Sequence, residues 1–198
     1  DFQRAFHAAI YFRDLLDVRR AAHKHGIPFW NVVSSNQIRP YTTIPSPANL
    51  MLQAYTTLAA GGRGIAWYTF NYGYAYSPTD KAGDRSDTWH YLRLVNGQVK
   101  ILGPIMNRLS STGVFFSKPW PTDEFPRLPG RIVEKLTSRS STRGFSDFEP
   151  PLMIGEFKSE DNTDYVMVVN LSLERSANFL LHTTKPYSRK EVYSASSG

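Results

Sequence analysis

The 198-residue chain contains no cysteine, which excludes disulfides, thiol chemistry and cysteine-based metal sites. It has no apolar run long enough to span a membrane and opens on no signal peptide. It lacks a Gly-x-Gly-x-x-Gly loop: Gly61-Gly-Arg-Gly64 precedes the strand it adjoins, the wrong side for cradling a phosphate, so dinucleotide binding is not expected. A Gly-x-Ser-x-Gly elbow is also missing. The most informative gap is acidic. No Asp or Glu occurs between Asp17 and Asp80, where a chain with 17 acids in 198 residues would place about five.

What is present is basic and aromatic. The net charge is +6, but Lys and Arg are scattered and never run to four, so no nucleic-acid partner is expected. The densest basic stretch, Ser138–Arg143, reads as a solvated loop. His23 and His25 lie two apart and cannot share a helix face as metal ligands, His90 reads as a surface histidine, and no metal or other cofactor is expected. The sequon Asn170-Leu-Ser172 is too short a pattern to carry weight. The opening Asp1-Phe-Gln-Arg runs straight into a helical pattern, as in a piece of a longer chain.

Ala8, Tyr11, Leu15, Val18 and Ala22 recur at helical spacing, with Gly26 and Pro28 closing the helix. Ile27–Val33 is an apolar run without alternation, which fits a strand covered on both faces of a parallel sheet. Ser46-Pro47 starts a second helix, carried by Met51, Ala54, Tyr55 and Leu58 and stopped by Gly61 and Gly62. Gly64–Phe70 is a second buried strand. A third helix begins near Trp89 and steps through Leu92, Val95, Val99, Leu102, Ile105 and Leu109, with Gly97 tolerated and Pro104 expected to kink it. Strand–helix–strand with buried strands implies parallel pairing, hence α/β. Beyond Pro119, Pro121, Pro126 and Pro129 only strand signals remain: Arg131–Thr137, a hairpin of Leu152–Phe157 with Asp164–Leu171, Ala177–Leu181 and Lys190–Tyr193, together an antiparallel sandwich.

In open and closed parallel sheets, ligands bind beyond the carboxyl ends of the strands. Here those ends carry Ser34, Ser35, Asn36, Gln37 and Arg39, and Asn71, Tyr72, Tyr74 and Tyr76 just past Trp67, Tyr68 and Phe70. Amides and hydroxyls beside flat rings suit sugars, which offer many hydroxyls and one apolar face. Asn36, Gln37, Trp67, Tyr68 and Tyr72 are therefore the candidate sugar contacts, with core packing as the alternative for Trp67 and Tyr68.

Pro28–Val33, Leu52–Ile65, Leu102-Gly-Pro104 and Ser111–Val114 resemble the last part of (β/α)8-barrel glycoside hydrolases, broadly the β-galactosidase type. Gly155–Phe157, Tyr165–Asn170 and Leu173–Ser176 resemble the β-sandwich that follows such barrels. The likeness covers most of the chain and rests on structural motifs. It implies residues 1–118 as the last two β/α units of a TIM-type barrel and 119–198 as a sandwich. It implies an oligosaccharide or polysaccharide partner and, from that, a secreted or periplasmic location. It also implies that a preceding barrel segment, or self-association, completes the fold. Hydrolysis of either stereochemistry needs two carboxyl groups. In the resembling barrels one follows the fourth strand, outside this chain, and the other ends the seventh, where this sequence has Ser, Asn and Gln. Asp80, Asp84 and Asp87 lie beyond the second strand, but Asp87 with Ser86 suits a helix cap and the others suit exposed ion pairs. Three readings follow: part of a glycoside hydrolase with its carboxylates elsewhere, a non-catalytic carbohydrate-binding or pseudoenzyme module, and a structural interaction domain.

Overall fold

The computed structural model describes residues 5–140 and 149–195; Asp1–Arg4 lie outside them, as do Ser141–Arg143. Three helices and seven strands follow in the order α1 (Ala5–His25), β1 (Trp30–Ser34), α2 (Pro47–Ala59), β2 (Gly64–Tyr68), α3 (Asp87–Met106), β3 (Leu109–Phe116), β4 (Val133–Ser140), β5 (Leu152–Ser159), β6 (Asp164–Asn170) and β7 (Ala177–Thr183). The fold is mixed α/β with antiparallel sheets. All three helices form where the apolar periodicity places them. Ser46 caps α2, its Oγ accepting from the Asn49 amide, and Pro47 occupies the first turn. Past its C-cap Ala60, Gly61 turns into the left-handed region at φ +88°, which glycine adopts without a side-chain penalty.

β1 and β2 pair in parallel, Trp30 against Gly64 through Ser34 against Tyr68, with α2 as the crossover. They are not covered on both faces as expected. Side chains alternate along a strand, so Val33, Ile65 and Trp67 turn toward α2 and α3, where Leu50, Ala54, Leu92 and Val95 are buried. Trp30 and Val32 turn the other way and are 68% and 67% exposed. The apolar composition of these strands therefore reports one packed face and one bare one.

Leu109, expected to close α3, opens β3 instead. Asn107 caps the helix three residues after Pro104, and Arg63 ties the turn down by donating to the carbonyls of Met106 and Leu109. β3 joins the expected β5–β6 hairpin in an antiparallel sheet ordered β3-β5-β6, while β4 pairs with β7. Ser138–Ser140 belong to β4 rather than to a solvated loop. Lys190–Tyr193 form no strand, and Val192 is almost fully exposed.

The largest apolar cluster bridges the helices and the antiparallel sheet. Phe12 of α1 meets Phe116 of β3 edge-on at 5.3 Å, with Phe125 and Trp120 alongside, and Ala59, Ala60 and Met153 complete it. A second cluster lies between the two antiparallel sheets, with Val133 and Leu136 of β4 against Leu152 and Ile154 of β5 and Leu181 of β7 at its margin.

Asp164, at the start of β6, is the hub of the one described ion network at this end. Its carboxylate takes Arg131 at 2.6 Å, Lys185 at 3.3 Å and the Tyr187 hydroxyl at 2.7 Å. Burial pushes its pKa up, but those hydrogen bonds outweigh burial and hold it at about 2. Burial and the same bond push Tyr187 up to about 12. A depressed acid contributes stability above its unfolded value near 3.8, lost as pH falls through about 2. A raised phenol contributes below 10, lost as pH rises through about 12. Asp164→Asn is expected to lower the melting temperature at neutral pH and to flatten both limbs of the stability–pH curve. Thermal melts across pH check this.

Candidate functional site

The carboxyl ends of β1 and β2 are built from α2 upward. Gln53, buried on α2, spans the end of β1 with its side-chain amide: Oε1 accepts from the Ser34 amide and Nε2 donates to the Ser34 carbonyl, both at 2.9 Å. Nε2 also donates to Asn49 Oδ1 at 3.0 Å. This fixes where the chain leaves the sheet. Ser35 then joins the two strand ends, its amide donating to the Tyr68 carbonyl at 2.9 Å and its Oγ to that of Thr69 at 2.8 Å. The Tyr68–Thr69 peptide is cis. The Gln37 amide donates to the Ala75 carbonyl at 2.9 Å, so the loops after β1 and β2 are bridged.

The five residues singled out from the sequence divide. Asn36 is buried at 3% exposure, and neither its Nδ2 nor its Oδ1 has a hydrogen-bond partner. A buried amide without partners costs about 1–3 kcal/mol per unsatisfied group, and buried polar groups are otherwise almost always paired. Tyr68 stands on the bare face of the sheet, its hydroxyl sharing a 2.9 Å hydrogen bond with that of Tyr74, and the rings lie 5.8 Å apart. That hydrogen bond, then the neighbouring charge, raises the Tyr68 pKa. Tyr72 is exposed, with Phe70 and Tyr76 nearby in the same loop and Tyr41 on the other.

Gln37 and Trp67 do different work. Gln37 Nε2 donates to the carbonyls of Pro40 and Thr42 and so shapes its own loop. Trp67 turns to the helix side, among the α2–α3 residues, and its indole donates to Asn96 Oδ1 at 2.9 Å. Asn36 and Tyr72 thus sit on the two loops joined at Gln37–Ala75, Tyr68 ends β2 on the bare face, and Trp67 turns to the helices. Sequence reasoning missed Gln53 and Asn49. The available signal was two amides on a helix face that is otherwise apolar.

The acids beyond β2 are structural or solvated. Asp80 Oδ1 accepts from the Ala82 and Asp84 amides and closes a turn. Asp84 and Asp87 are exposed. Ser86 is the N-cap of α3, but its hydroxyl turns to the Ser77 carbonyl at 2.6 Å. Among the described residues no group of three His, Asp or Glu could hold a metal ion, and no helix is long and apolar enough to cross a membrane. Two clefts of about 430 and 250 Å³ lie away from these loops.

No family model, no curated protein and no solved structure matches this chain.

Proposed function

We propose that this chain contributes a carbohydrate-binding rim at the carboxyl ends of two parallel strands, within a barrel-type glycan-active protein. The observation that carries the reading is the orphaned Asn36 amide, two residues past the Ser34–Tyr68 pair, with exposed Tyr68, Tyr72 and Tyr76 at and beyond the end of the partner strand. Sugar hydroxyls both donate and accept, as a side-chain amide needs, and the Tyr72 ring offers a platform for the apolar face of a pyranose. Because Asn36 is covered, a hydroxyl reaches it when the Gln37–Ala75 bridge opens.

The finer architecture is part of this proposal. A strand–helix–strand–helix unit with its helices on one face suits the last two units of a TIM-type barrel, the bare Trp30–Val32 face turning to the barrel interior. The apolar cluster between β4–β7 and β5 suits a sandwich. Parallel sheets are buried on both faces, so further barrel units or a second copy of the chain cover Trp30 and Val32. The isolated chain is therefore expected to associate. Sedimentation velocity checks this, and a dilute monodisperse monomer with cooperative melting would speak against it.

The acid gap favours a second reading, a non-catalytic binding module. Asp80, Asp84 and Asp87, the acids of the loop that follows β2, are engaged in a turn or exposed, so hydrolysis would draw its carboxylates from elsewhere. Glycan binding without turnover by the complete protein distinguishes this from the hydrolase.

Asn36→Leu tests the site. It removes an unsatisfied buried amide at nearly constant shape, so stability is expected to rise by about 1 kcal/mol or more while glycan binding is lost. Denaturant melts and a glycan-binding assay read the two effects. A destabilised variant, or one that binds glycan normally, would contradict the role given to Asn36.

A further inference from the structure

A cleft of about 430 Å³ separates α1 from β3 and the segment 124–126, away from the rim. Leu16, Val114 and Phe125 form its apolar part. Its acids are committed: Glu124 Oε2 lies 3.3 Å from Arg13 Nη2, and Asp17 Oδ1 lies 3.1 Å from Arg20 Nη2. Arg19 is different. Its Nη2 donates to a neutral group, Ser111 Oγ, at 3.1 Å, and its buried Nε has no acceptor. Among the described residues no carboxylate pairs with it. Burial lowers its pKa, as expected for a guanidinium withdrawn from water without a counter-charge. Burial first, and the Arg19 charge second, also lower the pKa of neighbouring His23.

A half-buried cation without an anion is an unfavourable arrangement that a bound anion relieves. The Nε–Nη2 edge of a guanidinium is a flat fork that matches the two oxygens of a carboxylate. The volume falls in the range of small-ligand sites, and the apolar wall distinguishes an organic acid from a bare inorganic anion. We propose that this cleft binds a small organic acid, its carboxylate on Arg19, which Ser111 positions, and its carbon skeleton against Leu16, Val114 and Phe125. Glu124 acts against it, as a like charge in the cleft and as the partner that occupies Arg13.

The test is a titration of the full chain with butyrate, with inorganic phosphate and chloride at matched ionic strength as comparators. It is read on the Arg19 Nε–H resonance and on the melting temperature. Butyrate is expected to give a saturable shift and a concentration-dependent rise in melting temperature. Arg19→Gln is expected to weaken binding about tenfold or more, and Ser111→Ala to weaken it less. Glu124→Gln is expected to tighten it several-fold, which a folding defect would not produce. A shift that stays linear, one that phosphate or chloride reproduces equally, or binding unchanged in Arg19→Gln and Glu124→Gln, would overturn the proposal.

Discussion

Glu156→Ala is expected to destabilise the chain by about 4 kcal/mol or more, enough to unfold a domain of ordinary marginal stability. Glu156 lies in the middle of β5 and is fully buried. Its Oε1 accepts from the amides of Ile132 and Val133 at 2.9 and 2.8 Å, and its Oε2 from the amide of Arg131 at 2.9 Å. These three successive amides lead into β4, so the carboxylate holds the start of one sheet against the middle of the other. Removing it strands three donors, two of them buried, and opens a cavity beside Phe115 and Gly130. Hydrogen bonds to a charged acceptor contribute about 1.5–3 kcal/mol each, less whatever desolvation the carboxylate itself loses. Glu156→Gln keeps one acceptor oxygen but aims an amide donor at the Arg131 or Ile132 side, so its cost is expected to be smaller yet still above about 1.5 kcal/mol. Chemical denaturation of the three proteins checks the order. Equal stability of wild type and Glu156→Ala would show that the three amides find other partners.

Gly155→Ala should be comparably severe, through backbone rather than polar contacts. β5 passes directly under the end of α2. A Cβ at position 155 would lie 2.9 Å from both the C and the Cα of Ala59, and closer still to its carbonyl oxygen. No flexible side chain stands there to give way. Either α2 lifts from the sheet or β5 shifts in register against β3 and β6, and the expected cost is about 3 kcal/mol. Because α2 carries Gln53, lifting it also loosens Ser34 and the loop that follows. Denaturation midpoints read the first effect and amide exchange at Ser34 reads the second. A small loss of stability with Ser34 still protected would mean that α2 and β5 can separate at Gly155 without cost to the end of β1.

The sequence made the local elements legible and left their partners obscure. All three helices, the Ser46-Pro47 start and the β5–β6 hairpin follow from spacing and turn chemistry within a few residues of each. What Glu156 and Gly155 do depends on residues 23 to 96 positions away, and nothing near either residue announces it. The same limit explains Leu109, whose helical spacing was real but whose place was taken by β3 once Arg63 closed the turn. That Asn36, Tyr68 and Tyr72 lie at or just beyond the carboxyl ends of β1 and β2 could be read because those ends follow from parallel pairing. Which way Trp67 turns could not. In a five-residue strand that is apolar at both alternations, the sequence does not say which side meets the helices. Nor could the bare face of β1 be anticipated, since Trp30 and Val32 are as apolar as residues packed on both sides would be.

The most direct test of the central claim is an NMR titration of the full chain with a panel of neutral oligosaccharides, following backbone amides and the Asn36 side chain. Saturable shifts are expected at Asn36, Tyr68, Tyr72 and Tyr74, with the Asn36 side-chain amide moving most and the Trp67 indole moving little. Shifts absent across the panel, or confined to residues remote from the ends of β1 and β2, would contradict a carbohydrate-binding rim.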